Sequence, residues 1–584
     1  MSLAEGLDGT STEPTSVDGP GRGGLGLLVP FAVILILVGY LPGLAAPSVS
    51  FPTLVVWTVA GPGLVALVLL VRGRDVAGCV LAAFLAWALV CAVLADRPWQ
   101  SLSSGIGSAG GLVFLVAYGA WWALGRVLPS GDDRPVGIAI VVGMAVNVAV
   151  AIAQVLWTQG SGLLSLEYQR GVGLFTNPVY FGGALAGTLP LVVAATIRST
   201  RDRWWRGLPL VALFSAGLQL SGSRVALVAS AGLVLAALIV HRVPWRRALA
   251  VLAAVAVGLV LASGATPQVG SARLSGGDAS GGLAQRTLMW EAGRDSVVEH
   301  PMFGVGPGRF RAVGAPSIDA EFALAEGPNF IYYDAHNLAV ETVVTTGLPG
   351  LALLGAFGIL AGRRARGPLA WFAAGVALTW LLEPTAAMTA PLALLALGLA
   401  YRPPPEALDQ RSRRWGTVAV VAAVVLAITG AIGGVRVLLA DAAFERSRSS
   451  YELADADRAA SLAPRDPVIE AARVRLLLTQ ANVDPTPENQ ATLLAAARRL
   501  VDLDPSNPGA WAQFAEATAL YGDPREDVRF EEAYDLYLES LQRNPWSLSS
   551  LTAAHDLAVR TGDDEGAERW ADRLCQLDAC PEGS

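Results

Sequence analysis

The segment from Asp334 to Gly350, DAHNLAVETVVTTGLPG, places polar side chains at the edge of an apolar helix. His336 and Asn337 stand where a long polar loop ends, and Glu341 follows inside the apolar part. Imidazole, amide and carboxylate groups are costly at a bilayer and are usually kept there for function. We predict that Asp334 caps the helix and that His336 lies in its first turn, where the positive helix end keeps the imidazole neutral. A neutral imidazole accepts protons, so His336 is the candidate general base.

Two neighbours of this histidine carry weaker predictions. Asn337 and Glu341 are four residues apart and share a helix face, so we expect Glu341 to orient or buffer His336 through Asn337. The alternative for His336 is a structural role at a helix start. The other histidines show no metal-ligand spacing with it; they are His241, His300 and His555. The sequence therefore predicts no metal site and no cofactor.

We select four arginines from segments that we place outside the cell, because arginine is scarce in the short loops on that side. Arg170 opens RGVGLFTNPVYFGG, and Arg224 lies in the hairpin LSGSRVAL. Arg286 and Arg294 share a helix face with Trp290 in LAQRTLMWEAGRDSVVEHP. Because guanidinium groups bind phosphate bidentately, these positions favour an anionic head group. The alternatives are a snorkelling Arg224 and a helix lying on the membrane with Trp290 as its anchor.

Cap and turn signals surround these residues. Asn177-Pro178 is typical of a helix N-cap with proline at the first helical position, which leaves a structural role for Asn177 beside a functional one. HPMFGVGPGRF is glycine-rich but follows a helix, so it indicates a turn and no dinucleotide site. The helix after His336 is expected to break at the glycines and proline of Gly347–Gly350.

The composition is that of a membrane protein. The 584 residues are 53% hydrophobic, with a mean hydropathy of +0.48. Apolar runs of roughly 17–25 residues, the length that crosses the hydrocarbon core, recur along the chain. We predict an all-α polytopic transmembrane bundle of about thirteen spans, at 25–44, 52–71, 76–95, 105–125, 136–157, 178–197, 207–221, 224–240, 248–263, 337–361, 368–382, 386–401 and 415–435. Every strong base is arginine, which excludes a P-loop lysine and a lysine Schiff base.

Arginines also predict the topology. They cluster after even-numbered spans and are scarce after odd-numbered ones, so the N-terminus is cytoplasmic and the segments 264–336 and 437–584 are extracytoplasmic. The expected location is the plasma membrane. The predicted domains are a disordered tail without a cleavable signal (1–24), nine spans (25–263), an outer loop with an amphipathic helix (264–336), four spans (337–436) and a helical domain (437–584).

The C-terminal domain carries three similar phrases about 40 residues apart. They are SLAPRDPVIEAA from Ser461, DLDPSNPGAWAQ from Asp502 and LQRNPWSLSSLT from Leu541. Each is expected to end one helix and open the next, as in tetratricopeptide-like repeats. A helical bundle without repeats is the alternative.

The four cysteines divide into two pairs. Cys79 and Cys91 fall in one apolar span and are expected to be packing residues. Cys575 and Cys580 lie near the C-terminus, where a disulfide and two free thiols are both open.

Several motifs together resemble one family. The pair His336-Asn337, followed after nine residues by the G-x-x-G that starts at Gly347, resembles the signature of the O-antigen ligase and O-antigen polymerase family. The segment RGVGLFTNP, the SGSR hairpin and the loop with R-x-x-x-W and HPMFGVGPGRF extend the resemblance over residues 25–400. It implies a bundle like that of the C-type glycosyltransferases, with an external loop over the active site. Ligases of the family favour leucine where this chain has Trp290.

The resemblance also implies an activity. This is metal-independent, inverting transfer of a glycan from a polyprenyl-diphosphate donor to an acceptor at the outer face of the membrane. The residues implied to be catalytic are His336, Arg224 and Arg286. Those expected to bind the diphosphate or the glycan are Arg170, Asn177, Arg294, Asn337 and Glu341.

The acceptor stays open between a glycan, a lipid and a protein, and so does the choice between ligase and polymerase. Protein O-oligosaccharyl transfer is the second interpretation. A flippase for lipid-linked glycans and a membrane scaffold are the rival classes. The repeat domain could hold a protein partner, and we expect membrane lipids but no nucleic acid among the partners.

Overall fold

The computed structural model describes residues 22–102, 110–128, 133–157, 170–175, 177–199, 203–265, 279–401 and 416–581. Most of the predicted tail, residues 266–278 of the outer loop and the arginine-rich stretch 402–415 lie outside these ranges. The described elements are helices, apart from two short 3-10 turns and isolated β-bridges such as Ala365–Tyr401. The predicted all-α class is confirmed.

The membrane part is a bundle of apolar helices. From residue 22 to 265 the helices are α1 (Arg22–Val38), α2 (Pro47–Arg72), α3 (Val76–Leu94), α4 (Pro98–Leu102), α5 (Leu112–Val127), α6 (Asp133–Leu156), α7 (Pro178–Arg198), α8 (Leu208–Ser221), α9 (Arg224–Val240) and α10 (Trp245–Ala265). After these come α11 (Ala279–Glu299), α12 (Arg311–Gly314), α13 (Ala320–Glu326), α14 (Leu338–Arg364), α15 (Pro368–Thr379), α16 (Ala390–Ala400) and α17 (Gly416–Ser450). Each predicted span overlaps one of these helices, and residues 105–109 of the fourth predicted span lie outside the described residues.

Seven of the described helices are long and apolar enough to cross a membrane, namely α2, α3, α6, α7, α10, α14 and α17. Their outer faces are suited to lipid. Along α17, for example, Val418, Val421 and Val425 are 61%, 56% and 55% exposed. An apolar stripe of this size is unfavourable in water and favourable against lipid chains. The chain is therefore a polytopic membrane protein, as predicted; α1, α5, α9, α15 and α16 are apolar but shorter.

Helices α7 and α14 have the packing that positions the outer loop and the segments beside it. Helix α7 is the most enclosed candidate span, with 83% of its apolar window buried, and it packs against α8, α9 and α15. Helix α14 packs against α3 on one side and against α11 of the outer loop on the other. The loop is thereby held over the start of α14.

The C-terminal domain consists of helices that pack in chain order, each against the next. They are α18 (Leu453–Leu462), α19 (Pro467–Val483), α20 (Pro487–Leu503), α21 (Pro508–Tyr521), α22 (Glu526–Arg543), α23 (Leu548–Thr561) and α24 (Asp564–Gln576). Asp466 and Asn507 cap α19 and α21 directly before a proline, as the first two phrases indicate. The tetratricopeptide assignment itself stays a prediction. Cys575 and Cys580 form a disulfide, and Cys79 and Cys91 are free thiols.

The repeat domain and the outer loop lie at the same end of the bundle. Arg311 of the loop pairs with Asp504 of the repeat domain, and Asn544 Nδ2 donates to Pro328 O at 3.1 Å. The predicted topology puts the outer loop and the repeat domain on one side of the membrane, so it requires them to lie at the same end of the bundle. The side of the membrane that it faces stays a prediction.

Candidate functional site

A cavity of about 560 Å³ lies between the outer loop, the repeat domain and the bundle. Its wall includes His336, Asn337 and Glu341 from the predicted site. Along α14 the lining residues run from Leu338 to Phe357, which is roughly 28 Å at 1.5 Å per residue. Far from the loop the lining is apolar and includes Leu81, Phe84, Leu354 and Phe357. The cavity is thus polar at the loop and apolar inside the bundle.

The start of α14 differs from the sequence prediction. Asn337, and not Asp334, is the N-cap, because its side-chain oxygen accepts hydrogen bonds from the N–H groups of Ala339 and Val340 at 2.9 and 3.1 Å. His336 therefore precedes the helix, with a φ of +48°, and its predicted place in the first turn is wrong. Asp334 instead binds His336: its Oδ1 accepts from the backbone N–H at 2.8 Å and lies 2.9 Å from Nδ1 of the ring.

The electrostatics of His336 follow from this pairing. Burial alone would lower the pKa of His336, but the hydrogen bond and negative charge of Asp334 outweigh burial and raise the pKa above its ordinary value. The prediction that the helix end keeps the ring neutral is therefore wrong in direction. Tyr332 packs edge-on against the ring, with the two centroids 4.9 Å apart. Burial raises the pKa of Tyr332 to about 12, so its hydroxyl stays neutral at physiological pH.

Ala335 is held at both ends, and this fixes the loop beside His336. Glu341 Oε2 accepts from the N–H of Ala335 at 2.9 Å, and Trp290 Nε1 donates to its carbonyl at 2.9 Å. Glu341 thus acts on the backbone next to His336, and its predicted route through Asn337 is wrong, since Asn337 Nδ2 donates to Leu381 O at 2.9 Å. Trp290 is half-buried against the loop, which replaces the alternative of a membrane anchor.

A break in α14 attaches the glycine-rich turn. Gly347 has a φ of +69°, so the helix is interrupted there as predicted. At the interruption, backbone groups of α14 bond to the loop instead of to each other. Val305 N–H donates to Val344 O at 2.9 Å, and Leu348 N–H donates to Pro301 O at 2.9 Å. HPMFGVGPGRF is a series of turns against α14, as the sequence indicates.

A buried carboxylate that the sequence analysis did not select faces the same cavity. Glu383, between α15 and α16, is 4% exposed and accepts a hydrogen bond from Ser223 Oγ at 2.7 Å. Burial raises the pKa of Glu383 to about 7, and the hydrogen bond from Ser223 opposes that rise. A glutamate among apolar residues at the end of a predicted span was the signal that could have identified it.

Two predicted arginines lie close to Glu383. The positive charge of Arg286 in α11 opposes the rise in the pKa of both Glu383 and His336. Arg224 is the exposed first residue of α9, directly after Ser223. The described lining of the cavity includes neither arginine.

The segment 170–175 is folded into the bundle by two polar side chains of α6. Gln154 Oε1 accepts from two N–H groups of the segment at 2.9 and 3.0 Å, and Asn147 Oδ1 accepts from a third at 2.8 Å. Both amides are fully buried, and their presence in an apolar span was the available signal. The N–H of the residue after Arg170 donates to Leu220 O at 3.2 Å, which places Arg170 beside the SGSR hairpin.

Asn177 and Arg294 lie outside the described lining of the cavity. Asn177 caps α7 by accepting from Val179 N–H at 2.8 Å, with Pro178 at the first helical position, so its structural interpretation is confirmed. The side chain of Arg294 is 75% exposed and pairs with Asp295 at 3.0 Å.

Three other arginines line the loop end of the cavity; they are Arg309, Arg311 and Arg465. Arg309 is buried and donates to Val305 O at 3.1 Å. Arg311 pairs with Asp504 of the repeat domain. The first two belong to the turn PGRFR, whose arginines the sequence analysis passed over, and Arg465 comes from the repeat domain, far away in the chain.

Comparison with known proteins gives information on the central part of the chain. No curated protein matches the chain. Residues 209–355 match the family model described as O-antigen ligase, and this range includes the SGSR hairpin, α11, His336 and the break at Gly347. The chain is therefore similar to the O-antigen ligases in its central part, which supports a glycosyltransferase that acts as a surface-glycan ligase or polymerase.

Proposed function

We propose that this protein transfers a glycan from a polyprenyl-diphosphate donor to an acceptor hydroxyl, in the cavity at the loop end of the bundle. The observation that carries the proposal is the cavity's change of polarity along α14, from His336 and Asn337 at one end to Leu354 and Phe357 at the other. A lipid-linked diphosphate sugar has the same order of parts: an apolar chain, a charged linker and a hydroxyl-rich glycan.

His336 is the proposed general base. The acceptor oxygen attacks the anomeric carbon and forms a new C–O bond, while the bond from that carbon to the phosphate oxygen breaks. The electron pair of the broken bond leaves with the diphosphate, and the configuration inverts. The acceptor proton goes to Nε2 of His336, because Asp334 engages Nδ1. Asp334 then stabilises the imidazolium that forms.

Arginines are proposed to neutralise the diphosphate as it leaves. The charge of Arg286 already reaches His336 and Glu383. The hydrogen bond from Ser223 to Glu383 holds the hairpin of Arg224 against the connection between α15 and α16. Arg170 adjoins this hairpin because the N–H of the next residue donates to Leu220 O. Glu341, Asn337 and Asn177 support the site through the backbone; Arg294 gains no support from its position.

The outer face of the membrane is the proposed location of the chemistry. The arginine distribution supports an outer position for the loop and the repeat domain. The disulfide between Cys575 and Cys580 belongs in an oxidising compartment, which agrees with that side. The activated donor provides the driving force there without a nucleotide.

The polarity of the cavity favours a transferase over a flippase. A flippase for the same lipids needs polar groups along a path through the bilayer. The described lining residues far from the loop are apolar, and the charged ones gather at the loop end.

The test is transfer by the full chain in liposomes with a synthetic lipid-linked glycan. His336→Ala should lower the rate by about 10²–10⁴-fold, the usual effect of general base catalysis. His555→Ala, a histidine of the repeat domain outside the described cavity lining, should leave the rate unchanged. A wild-type rate in His336→Ala would remove the catalytic assignment, and lipid flipping without transfer by the wild type would remove the function. In cells, loss of long chains with single units still attached indicates a polymerase, and chains that accumulate on lipid indicate a ligase.

A further inference from the structure

The repeat domain forms part of the cavity wall. The turn between α20 and α21 contributes Leu503, Asp504 and Ser506 to the lining, and the turn before α19 contributes Arg465. Asp504 is 1% exposed, so this carboxylate is buried where the repeat domain meets the membrane part. A domain that was only tethered to the bundle would not bury a charged group at the contact.

Asp504 is fixed from three directions. It pairs with Arg311 of the outer loop, and its Oδ1 accepts from Gln100 Nε2 of α4 at 3.1 Å and from Ser506 Oγ at 3.0 Å. Gln100 Nε2 also donates to Leu503 O at 2.7 Å. The contact therefore sets the position of the turn relative to both the loop and the bundle.

A second contact between the repeat domain and the membrane part lies at the same end of the cavity. The guanidinium of Arg465 stacks over the Trp99 ring, with its carbon 3.7 Å from the ring centroid. Both side chains line the cavity. Tyr333, which is 64% exposed, lines it as well and provides a further aromatic face beside Arg311.

The chemistry of this part of the cavity wall suits the hydroxyl groups of sugars. The pair Arg311–Asp504 carries no net charge but offers both donors and acceptors, and Gln100 and Ser506 do the same. A site built to hydrogen-bond hydroxyl groups discriminates strongly against ligands that lack them. The apolar chain already has its matching region deeper in the cavity, and the proposed partners of the charged linker are the arginines near His336 and Glu383.

We propose that the turn 503–506 and Arg465 of the repeat domain form a glycan-binding wall that contacts sugars beyond the one being transferred. The repeat domain then helps to determine which glycan the enzyme accepts. This inference rests on the proposed function and adds the substrate feature that the repeat domain recognises. The sugars could belong to the donor or to the acceptor glycan, and the two arms of the experiment distinguish these sources.

The experiment measures transfer kinetics of the full chain in liposomes with two donors, a lipid-linked monosaccharide and a lipid-linked oligosaccharide. Arg465→Ala and Asp504→Asn should raise the KM for the oligosaccharide donor by about tenfold, the effect of one lost hydrogen bond to a charged group. The KM for the monosaccharide donor and both kcat values should stay unchanged. In the second arm the donor is the monosaccharide, and a short and a long acceptor glycan are compared; a KM rise confined to the long acceptor assigns the wall to the acceptor.

Matched controls are available in the same domain. Asp502→Asn and Arg475→Ala change exposed residues of the same types outside the described lining, and both should behave as wild type. Asp504 is buried, so the folding of the Asp504→Asn protein is checked by thermal unfolding. Arg465 is exposed, so Arg465→Ala keeps the test valid if the Asp504→Asn protein is unstable. Two results for Arg465→Ala would overturn the proposed glycan-binding wall: unchanged KM values for every long glycan, or equal KM rises for short and long glycans. Transfer by the wild type would still uphold the proposed function in either case.

Discussion

At the scale of single residues, His336 depends on its backbone as much as on its ring. Its φ of +48° lies in the left-handed region, which histidine, asparagine and aspartate adopt more readily than most residues. This conformation lets Asp334 reach both the backbone N–H and Nδ1 of His336. Strained backbone of this kind is common at functional sites, and here it orients a candidate base.

Removing the charge of Asp334 should shift the pH dependence of transfer. Because a base must be deprotonated to act, the raised pKa of His336 predicts an acid limb of the rate profile above the ordinary histidine range. In Asp334→Asn burial continues to lower the pKa, so the acid limb should move to lower pH. The other ionisable groups around the ring are Tyr332, Arg286, Glu341 and Glu383, and the substitution leaves these residues in place.

The measurement is the rate of transfer against pH for both forms. Asp295→Asn is the matched control, because Asp295 is exposed and pairs only with Arg294 among the described residues. An unshifted acid limb in Asp334→Asn would show that the pair does not set the titration.

At the scale of elements, the break in α14 joins the membrane part to the outer loop. The interruption at Gly347 exposes backbone groups that bind the turn around Pro301 and Val305. The same turn leads into Arg309 and Arg311 at the cavity. A continuous helix would bond these groups internally and leave the turn without its attachment.

Gly347→Ala should therefore destabilise the protein. A Cβ at Gly347 would lie 2.1 Å from Met302 O, and alanine disfavours a φ of +69°. Backbone strain alone costs about 1–3 kcal/mol, so the melting temperature in detergent should fall. Gly355→Ala in the same helix meets no atom within 4 Å and should unfold at the wild-type temperature or slightly above. Equal melting temperatures for the two variants would show that the break is not needed.

Helix α11 contacts the candidate site through Trp290, which we expect to position it. Trp290→Phe keeps an aromatic ring and removes the N–H that donates to Ala335 O. Since one such hydrogen bond contributes about 0.5–1.5 kcal/mol, we expect transfer to slow by up to about tenfold while the protein stays folded. Rate and melting temperature are measured together. A wild-type rate in a folded Trp290→Phe protein would exclude this positioning role.

At the scale of the whole molecule, the outer loop, the repeat domain and the cavity lie at one end of the bundle. The repeat domain is attached at Asp504 to α4 and α12, and at Ser547 to Asn329 of the loop, with 3.2 Å between the side-chain oxygens. The loop and the repeat domain must therefore lie on one side of the membrane. The arginine distribution predicts that this is the outside.

Labelling of engineered cysteines tests this arrangement. Val298→Cys in α11 and Val483→Cys in α19 replace residues that are 76% and 82% exposed. A membrane-impermeant thiol reagent should label both in intact cells. Arg363→Cys, at the opposite end of α14, should react only after permeabilisation. Different behaviour of the first two positions would contradict the structure, and labelling of both only after permeabilisation would reverse the topology.

The sequence by itself determined the elements and the chemical groups of the site. Apolar runs fix where helices can cross a membrane, and local rules fix caps such as Asn177 and the break at Gly347. Only the tertiary structure decided which groups meet. Asn337 prevailed over Asp334 as the cap while its amide bonded Leu381 O on a distant helix end. Asp504 reaches Arg311 and Gln100 across 193 and 404 residues of chain. Contacts between such distant residues arise from packing of whole elements, so no local pattern predicts them, and for that reason the contact of the repeat-domain turn with the cavity is visible only in the fold.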